Sequence, residues 1–147
     1  GQGQGIAVHR SFVSYIAIAV RVRVLGRKVL IEQVDLAIDC GLAVHPERIR
    51  SQMEGSVVFG ISLAMMGKAT MKNGAVEQSN FHDAPVARIT DAKPKINVSL
   101  IQSDAPPGGV GEPGGPPFAP ALCNAIFAAT GKRIRSLPIN EYDFAEA

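Results

Sequence analysis

The sequence contains no tryptophan, and aromatic residues make up only 5% of its 147 residues. This argues against a surface on which nucleic-acid bases stack. Two cysteines, Cys40 and Cys123, are too few for a disulfide framework or a cysteine-only zinc site. A net charge of +2 without long basic runs excludes nucleic-acid binding driven by gross charge alone. No apolar stretch approaches the roughly 20 residues that span a bilayer, so no integral membrane segment is predicted.

The chain has enough apolar sequence to form one packed domain. Hydrophobic residues account for 46% and charged residues for 19%, which is typical of a globular protein. Residues 1–5 alternate glycine and glutamine, and we expect no strand there. The polar residues 140–147 suggest a frayed tail. We therefore interpret residues 1–147 as a fragment of a larger subunit.

The first half of the chain predicts a hairpin and a helix. Val13 to Val24 and Lys28 to Ile38 alternate apolar and polar residues around a Gly26-Arg27 turn. His45-Pro46 then opens a helix with an apolar face. Gly55 and Gly60 are unfavourable within that helix, which suggests that another backbone or a ligand approaches it closely.

The second half predicts a further hairpin, a strand, a loop and a helix. The second hairpin, residues 69–78, turns at Asn73-Gly74, and the strand runs from Ile96 to Gln102. The Gly/Pro loop, residues 106–117, excludes regular structure. It leads into a helix from Pro117 to Thr130 that Gly131 ends, and residues 137–139 are expected to be extended. The fold class is α+β, with two β-hairpins plus one strand packed with two main helices.

Glu112 is the one ionisable residue of the Gly/Pro loop. A carboxylate on a stiff loop between glycines has the fixed position and open access that a general base needs. The alternative is a structural turn whose glutamate is merely solvated. Gln52, on the helix that follows Pro46, could recognise a heterocycle or phosphate edge through its amide. Its alternative is an ordinary surface glutamine.

The histidines and cysteines do not predict a metal site. His9, His45 and His82 have separations unlike those of known metal motifs, although His82-Asp83 is a local pair. His45 is better explained as the residue at the start of a helix. Cys40 and Cys123 are expected to be small buried hydrophobes.

Taken together, several segments resemble the C-terminal part of the molybdopterin-binding large subunit of the xanthine oxidase/aldehyde oxidase family of molybdenum hydroxylases. Within that family, the sequence resembles the branch that contains the isoquinoline 1-oxidoreductase beta chain. The resemblance covers nearly the whole chain, and its most specific part is Gly109–Gly114. The segments that carry it are Ala7–Phe12, Asp39–Pro46, Arg50–Gly55, Gln78–Asp83, Gly109–Gly114, Pro116–Ala121 and Leu122–Ile139.

The resemblance implies a molybdenum-cofactor-binding domain in which Glu112 is the general base at the molybdenum. It also implies that Gln52 hydrogen-bonds the cofactor and that Gly111 and Val110 line its site. The cofactor would be molybdopterin, with the cytosine dinucleotide form as one option. The reaction would be oxidation of an N-heterocycle or an aldehyde with water as oxygen source.

The same resemblance implies partners. These are the remainder of the large subunit and a small [2Fe-2S] iron–sulfur subunit, because two cysteines cannot hold the clusters of the electron relay. The chain alone is therefore expected to be inactive, and its compartment, cytoplasmic or periplasmic, stays open. An alternative is a non-catalytic binding or assembly module that retains the fold.

Overall fold

A computed structural model describes residues 1–91 and 94–145, and these residues form an α+β domain. The elements in chain order are β1 (Gln2–Ser11), β2 (Ser14–Leu25), β3 (Lys28–Asp39), α1 (Pro46–Met65), β4 (Met71–Lys72), β5 (Ala75–Val76), β6 (Lys95–Leu100), α2 (Phe118–Thr130) and a 3-10 helix (Ile139–Glu141). The predicted fold class is confirmed. No helix among the described residues is long and apolar enough to cross a membrane.

The main sheet has four strands in the order β1-β2-β3-β6. β2 pairs antiparallel with both β1 and β3, whereas β6 pairs parallel to β3. Alternate side chains of β2, from Ile16 to Val24, are buried on one face of the sheet, as the period of two predicts. Both helices contribute buried residues to the same core, and α2 packs on β1 and β2.

The start of α1 and the end of α2 follow the sequence signals. His45 caps α1, since its Nδ1 accepts a hydrogen bond from the Arg48 amide at 3.3 Å. Gly131 ends α2 with a left-handed φ of 72°, and its amide donates to the Phe127 carbonyl at 2.7 Å. The hairpin at Asn73-Gly74 is present with strands of two residues each. β6 begins one residue before the predicted strand and ends two residues earlier.

The prediction of no strand at residues 1–5 is wrong, because β1 begins at Gln2 and pairs with β2 along its whole length. Its glycines make room for helix α2. A Cβ on Gly3 would lie 2.1 Å from the Ala125 carbonyl oxygen, and one on Gly5 would lie 2.2 Å from the Ala125 amide nitrogen. The description of two hairpins plus one strand therefore misses one strand of the sheet.

The prediction of a frayed tail is also wrong for the part that the structure describes. Phe144 is buried in the core, and Asp143 accepts a hydrogen bond from Arg27 Nε at 2.7 Å. The expected extended segment holds only in part, since Pro138 is extended and a 3-10 helix begins at Ile139. Residues 146 and 147 lie outside the described residues.

Candidate active site at the Gly/Pro loop

The first part of the Gly/Pro loop is hydrogen-bonded to the residues that follow β3. The Gly108 amide donates to the Cys40 carbonyl at 2.8 Å, and just upstream of the loop the Leu42 amide donates to the Ala105 carbonyl at 2.9 Å. Gly41 has a φ of 69°, and a Cβ there would lie 2.3 Å from the Pro106 carbonyl oxygen. The two backbone segments therefore run in direct contact.

The turn between β1 and β2 holds the next residue of the loop. The Gly109 amide donates to the Phe12 carbonyl at 2.8 Å, and the Ser14 Oγ donates to the Gly109 carbonyl at 2.7 Å. Both backbone groups of Gly109 are thus hydrogen-bonded. We call this pair of bonds, made by the Phe12 carbonyl and the Ser14 hydroxyl, the Gly109 clamp.

The last part of the loop packs against α1 and leads into α2. Gly114 is buried, and a Cβ there would lie 2.2 Å from Ser56 Oγ. The Gly115 amide donates to the Glu112 carbonyl at 3.0 Å and closes a tight turn. Phe118, the first residue of α2, lies against Gly60, where a Cβ would come within 2.7 Å of its ring.

The structure brings Gln52 and the loop together. Gln52 is exposed on α1, and its Nε2 lies 3.5 Å from the Gly111 carbonyl oxygen, which is the outer limit of a hydrogen bond. Gly111 and Glu112 are exposed beside it, whereas Val110 is half-buried and packs against the core. Three of the four predicted site residues therefore form one open surface, and Val110 supports it from beneath.

The Glu112 carboxylate makes no hydrogen bond or ion pair with any residue in the ranges 1–91 and 94–145. Its backbone carbonyl is held, but its side chain projects freely. Within the same ranges, no hydrogen bond uses the amides of Val110, Gly111 and Glu112 as donors. The loop therefore has three consecutive N–H groups without an acceptor among the described residues, together with a free carboxylate.

The other polar candidates have structural roles. Asp83 accepts from the amides of Ser79 and Asn80 at 2.9 Å each, and these bonds lower the pKa of its carboxyl. His82 lies 3.5 Å from Asp83 and is exposed. In the described part of the chain, no three His, Cys, Asp or Glu side chains are placed to hold a metal ion.

Burial raises the pKa of the Cys40 thiol and of the Cys123 thiol. A raised pKa keeps a thiol protonated at neutral pH, and the protonated thiol is a poor nucleophile and metal ligand. Cys40 is buried and Cys123 is half-buried. The expectation that both cysteines act as small apolar residues therefore fits their surroundings.

Ser14 and the Phe12–Val13 turn belong to the site but were not predicted from the sequence. Ser14 stands at the start of an apolar strand, where a lone serine gives no signal of its own. Its importance follows only from the position of Gly109, which is 95 residues away along the chain. The contact between the Ser14 hydroxyl and the glycines at 108 and 109 is apparent only from the structure.

The glycine-rich loop with its free carboxylate, and the Gln52 amide beside it on α1, belong to an α+β domain whose fold is shared by solved structures of oxidoreductases. CO dehydrogenase from Oligotropha carboxidovorans superposes with a TM-score of 0.74 at 19% identity, over 86% of this chain and 17% of that one. Aldehyde oxidoreductase from Desulfovibrio gigas gives a TM-score of 0.72 at 24% identity, over 86% and 14%. These likenesses establish the fold.

The chain belongs to the molybdopterin cofactor-binding domain family, whose model matches residues 2–93. It is 37% identical over 109 residues to the beta chain of isoquinoline 1-oxidoreductase from Brevundimonas diminuta, covering 74% of this chain and 14% of the relative. It is 33% identical over 113 residues to a nicotinate dehydrogenase component from Pseudomonas putida, covering 76% and 9%. The chain therefore spans about a seventh or less of the length of these relatives.

Another relative carries a name for aldehyde oxidation. The membrane-bound aldehyde dehydrogenase of Gluconacetobacter polyoxogenes, named as a pyrroloquinoline-quinone enzyme, is 31% identical over 112 residues, covering 76% of this chain and 14% of the relative. The predicted resemblance to the xanthine oxidase family and to its isoquinoline 1-oxidoreductase branch is confirmed.

Proposed function

We propose that this chain forms part of a molybdenum hydroxylase and that Glu112 is its general base. The observation that carries the proposal is a free carboxylate on a loop whose backbone is held on both sides, beside the Gln52 amide. The family relationship supports a molybdopterin site in the same domain.

The residues present fit that cofactor. The amides of residues 110–112, which have no acceptor among the described residues, and the Gln52 side chain are donors of the kind that a polar, anionic group needs. Gln52 would hold the cofactor by a hydrogen bond, with Gly111 and Val110 forming the adjoining wall. When bound, molybdopterin supplies a molybdenum centre that accepts two electrons from the substrate carbon.

Glu112 would accept a proton from the water-derived oxygen as that oxygen adds to an electron-poor carbon. A base positioned for such a transfer contributes roughly 10²–10⁴-fold to the rate. The substrate would be an N-heterocycle or an aldehyde, the classes that the names of the relatives carry: isoquinoline, nicotinate and aldehyde. Glu112 is exposed, which leaves the approach open to a planar ring.

The remaining parts of the enzyme would lie outside these 147 residues. Two cysteines cannot hold an iron–sulfur cluster, so the electrons would leave through a small [2Fe-2S] subunit. The remainder of the large subunit would supply further contacts to the cofactor, including those to a cytosine dinucleotide where that form is used. The 147 residues alone would then be inactive.

The test is Glu112→Gln in the complex purified from its native host. We expect turnover of isoquinoline and benzaldehyde, measured with a tetrazolium dye as acceptor, to fall by about 10²–10⁴-fold. Molybdenum content, measured by elemental mass spectrometry, should not change, because the amide side chain keeps the size of the carboxylate. Turnover within tenfold of the wild type would refute the role of Glu112.

Glu54→Gln is the matched control, since Glu54 is also exposed and lies on α1 two residues beyond Gln52. This variant should keep both activity and molybdenum. A wild-type complex without molybdenum would instead favour the non-catalytic assembly module.

A further inference from the structure

The turn that joins β1 and β2 has an unfavourable backbone. Phe12 and Val13 both have positive φ, at 50° and 66°, where two-residue hairpin turns normally use Asn and Gly. Just before the turn, Ser11 Oγ is buried without a hydrogen-bond partner among the described residues. Such features persist where the surrounding structure requires them, and they cluster at functional sites.

The contacts of the turn explain why its shape is kept. The Phe12 carbonyl and the Ser14 hydroxyl form the Gly109 clamp, with bonds of 2.8 and 2.7 Å. Among the polar residues that the structure describes, Ser14 alone is fully buried. The loop is shaped to match, because a Cβ on Gly108 would lie 2.5 Å from Ser14 Oγ, and one on Gly109 would lie 2.7 Å from the Phe12 Cβ.

Gly109 precedes Glu112 by three residues, so the clamp holds the backbone close to the residue that carries the carboxylate. No side-chain partner among the described residues fixes that carboxylate. What holds the residue is the loop backbone, which is bonded at Gly109 on one side and through the Gly115 amide to the Glu112 carbonyl on the other.

We propose that Ser14 is a positioning residue for the general base and that the strained Phe12–Val13 turn exists to make the Gly109 clamp. The proposal rests on the role proposed for Glu112. Ser14 touches neither substrate nor cofactor, and it acts by fixing the backbone that carries Glu112.

The experiment is Ser14→Ala in the complex from the native host, with three measurements. We expect the Gly108 and Gly109 amides, which donate to the Cys40 and Phe12 carbonyls, to exchange hydrogen faster, because the loop loses the Ser14 bond that holds it in place. We expect kcat for isoquinoline and benzaldehyde to fall by about 10–100-fold with KM little changed, since a small misplacement of a catalytic group has an effect of that size. Molybdenum content should stay at the wild-type level.

Ser62→Ala is the matched control. Ser62 Oγ also makes two bonds, donating to the Val58 carbonyl and accepting from the Ala87 amide, but it lies away from the Gly/Pro loop. This control should leave the exchange of the Gly108 and Gly109 amides and kcat unchanged. If Ser14→Ala changes them no more than Ser62→Ala does, the positioning role is overturned.

A second variant tests the clamp from the side of the loop and leaves the core intact. Gly108→Ala places a Cβ against Ser14 Oγ and should raise the exchange of the Gly108 and Gly109 amides in the same way. Combined with Ser14→Ala, its effect should be less than additive, because the colliding hydroxyl is gone. If the effects of the two substitutions on exchange were strictly additive, Gly108 and Ser14 would not act through the same contact.

The outcomes also separate this proposal from the proposed function. Loss of turnover in Glu112→Gln together with unchanged exchange and kcat in Ser14→Ala would overturn the positioning role of Ser14 and leave the role of Glu112 intact. Retained turnover in Glu112→Gln together with faster exchange in Ser14→Ala would show a clamp on a loop whose glutamate is not the base.

Discussion

Val13 illustrates strain at a single residue. It is β-branched, has a φ of 66° and is 66% exposed, so its side chain gains little from burial while its backbone is in the left-handed region. That conformation costs a non-glycine residue about 1–2 kcal/mol. The dipeptide Phe12-Val13 does not predict such a turn, because the residues that usually mark it are Asn and Gly.

Val13→Gly is therefore expected to stabilise the chain by about 1 kcal/mol, which raises the melting temperature by about 2–4 °C for a domain of this size. Thermal unfolding followed by circular dichroism measures it. The control is Val8→Gly, since Val8 is also well exposed but lies in regular strand β1. The Val8→Gly change should lower the melting temperature. If Val13→Gly lowered the melting temperature as well, the backbone of Val13 would not be strained.

Asp83 links a local structure to pH. The amides of Asn80 and Ser79 hold its carboxylate and lower its pKa, so the charged form is favoured in the folded loop. Its contribution is therefore fully present above the ordinary Asp pKa of about 3.9 and is lost as pH falls through the lowered folded pKa.

Two consequences follow for the loop of residues 79–83. In Asp83→Asn, the amides of Ser79 and Asn80 should lose protection from hydrogen exchange at neutral pH. In the wild type, their protection should weaken only at acid pH, below the ordinary Asp range. A wild-type loop that loses protection already near pH 6 would show that another group controls it.

At the scale of elements, the alternating pattern predicts a strand well where one face of that strand is buried. β2 and β3 agree with their prediction nearly to the residue, because Ile16 to Val24 alternate strictly. β1 escapes prediction since Gly3 and Gly5 occupy its inner face, and glycine has no apolar signal. Their spacing makes sense only when α2, more than 100 residues later, is packed across them.

The residues of the candidate site also differ in whether the sequence predicts them. Residue type and the family resemblance point to Glu112 and Gln52, and the structure places Gln52 next to Gly111. Neither signal points to Ser14, because its partner is a backbone carbonyl in a distant loop. Contacts to backbone groups leave no residue pattern that a single sequence reveals.

The two glycines of α1 have opposite surroundings. The sequence predicts a close neighbour at both Gly55 and Gly60, and the structure confirms this only for Gly60, where a Cβ would lie 2.7 Å from the Phe118 ring. A Cβ on Gly55 would meet nothing within 4 Å.

Gly55→Ala is therefore expected to stabilise the isolated chain by up to about 1 kcal/mol, the difference in helix propensity between the two residues. Gly60→Ala should destabilise it, because the Phe118 ring would have to move within a packed core. Denaturant unfolding of the two variants compares them directly. Equal effects of the same sign would show that propensity, and not space, decides both positions.

At the scale of the whole molecule, α1 carries a second apolar face. Val58, Phe59 and Leu63 lie close together on the helix and are about half exposed, with Phe59 at 61%. Together with Gly55, Pro85 and Val86 they line an open cleft of about 560 Å³. Contiguous apolar surface of this kind is unfavourable in water and promotes association.

The 147-residue chain, produced alone, should therefore bind an apolar-surface dye and self-associate in analytical ultracentrifugation. Replacing Phe59 and Leu63 with glutamine should reduce both effects without unfolding the chain, because these side chains lie outside the core. Val44→Gln is the control, since Val44 is 78% exposed and is not part of this face. A wild-type chain that sediments as a monomer and binds no dye would show that the outer face of α1 is tolerated in water. In that case the stability of the domain would not depend on anything covering α1.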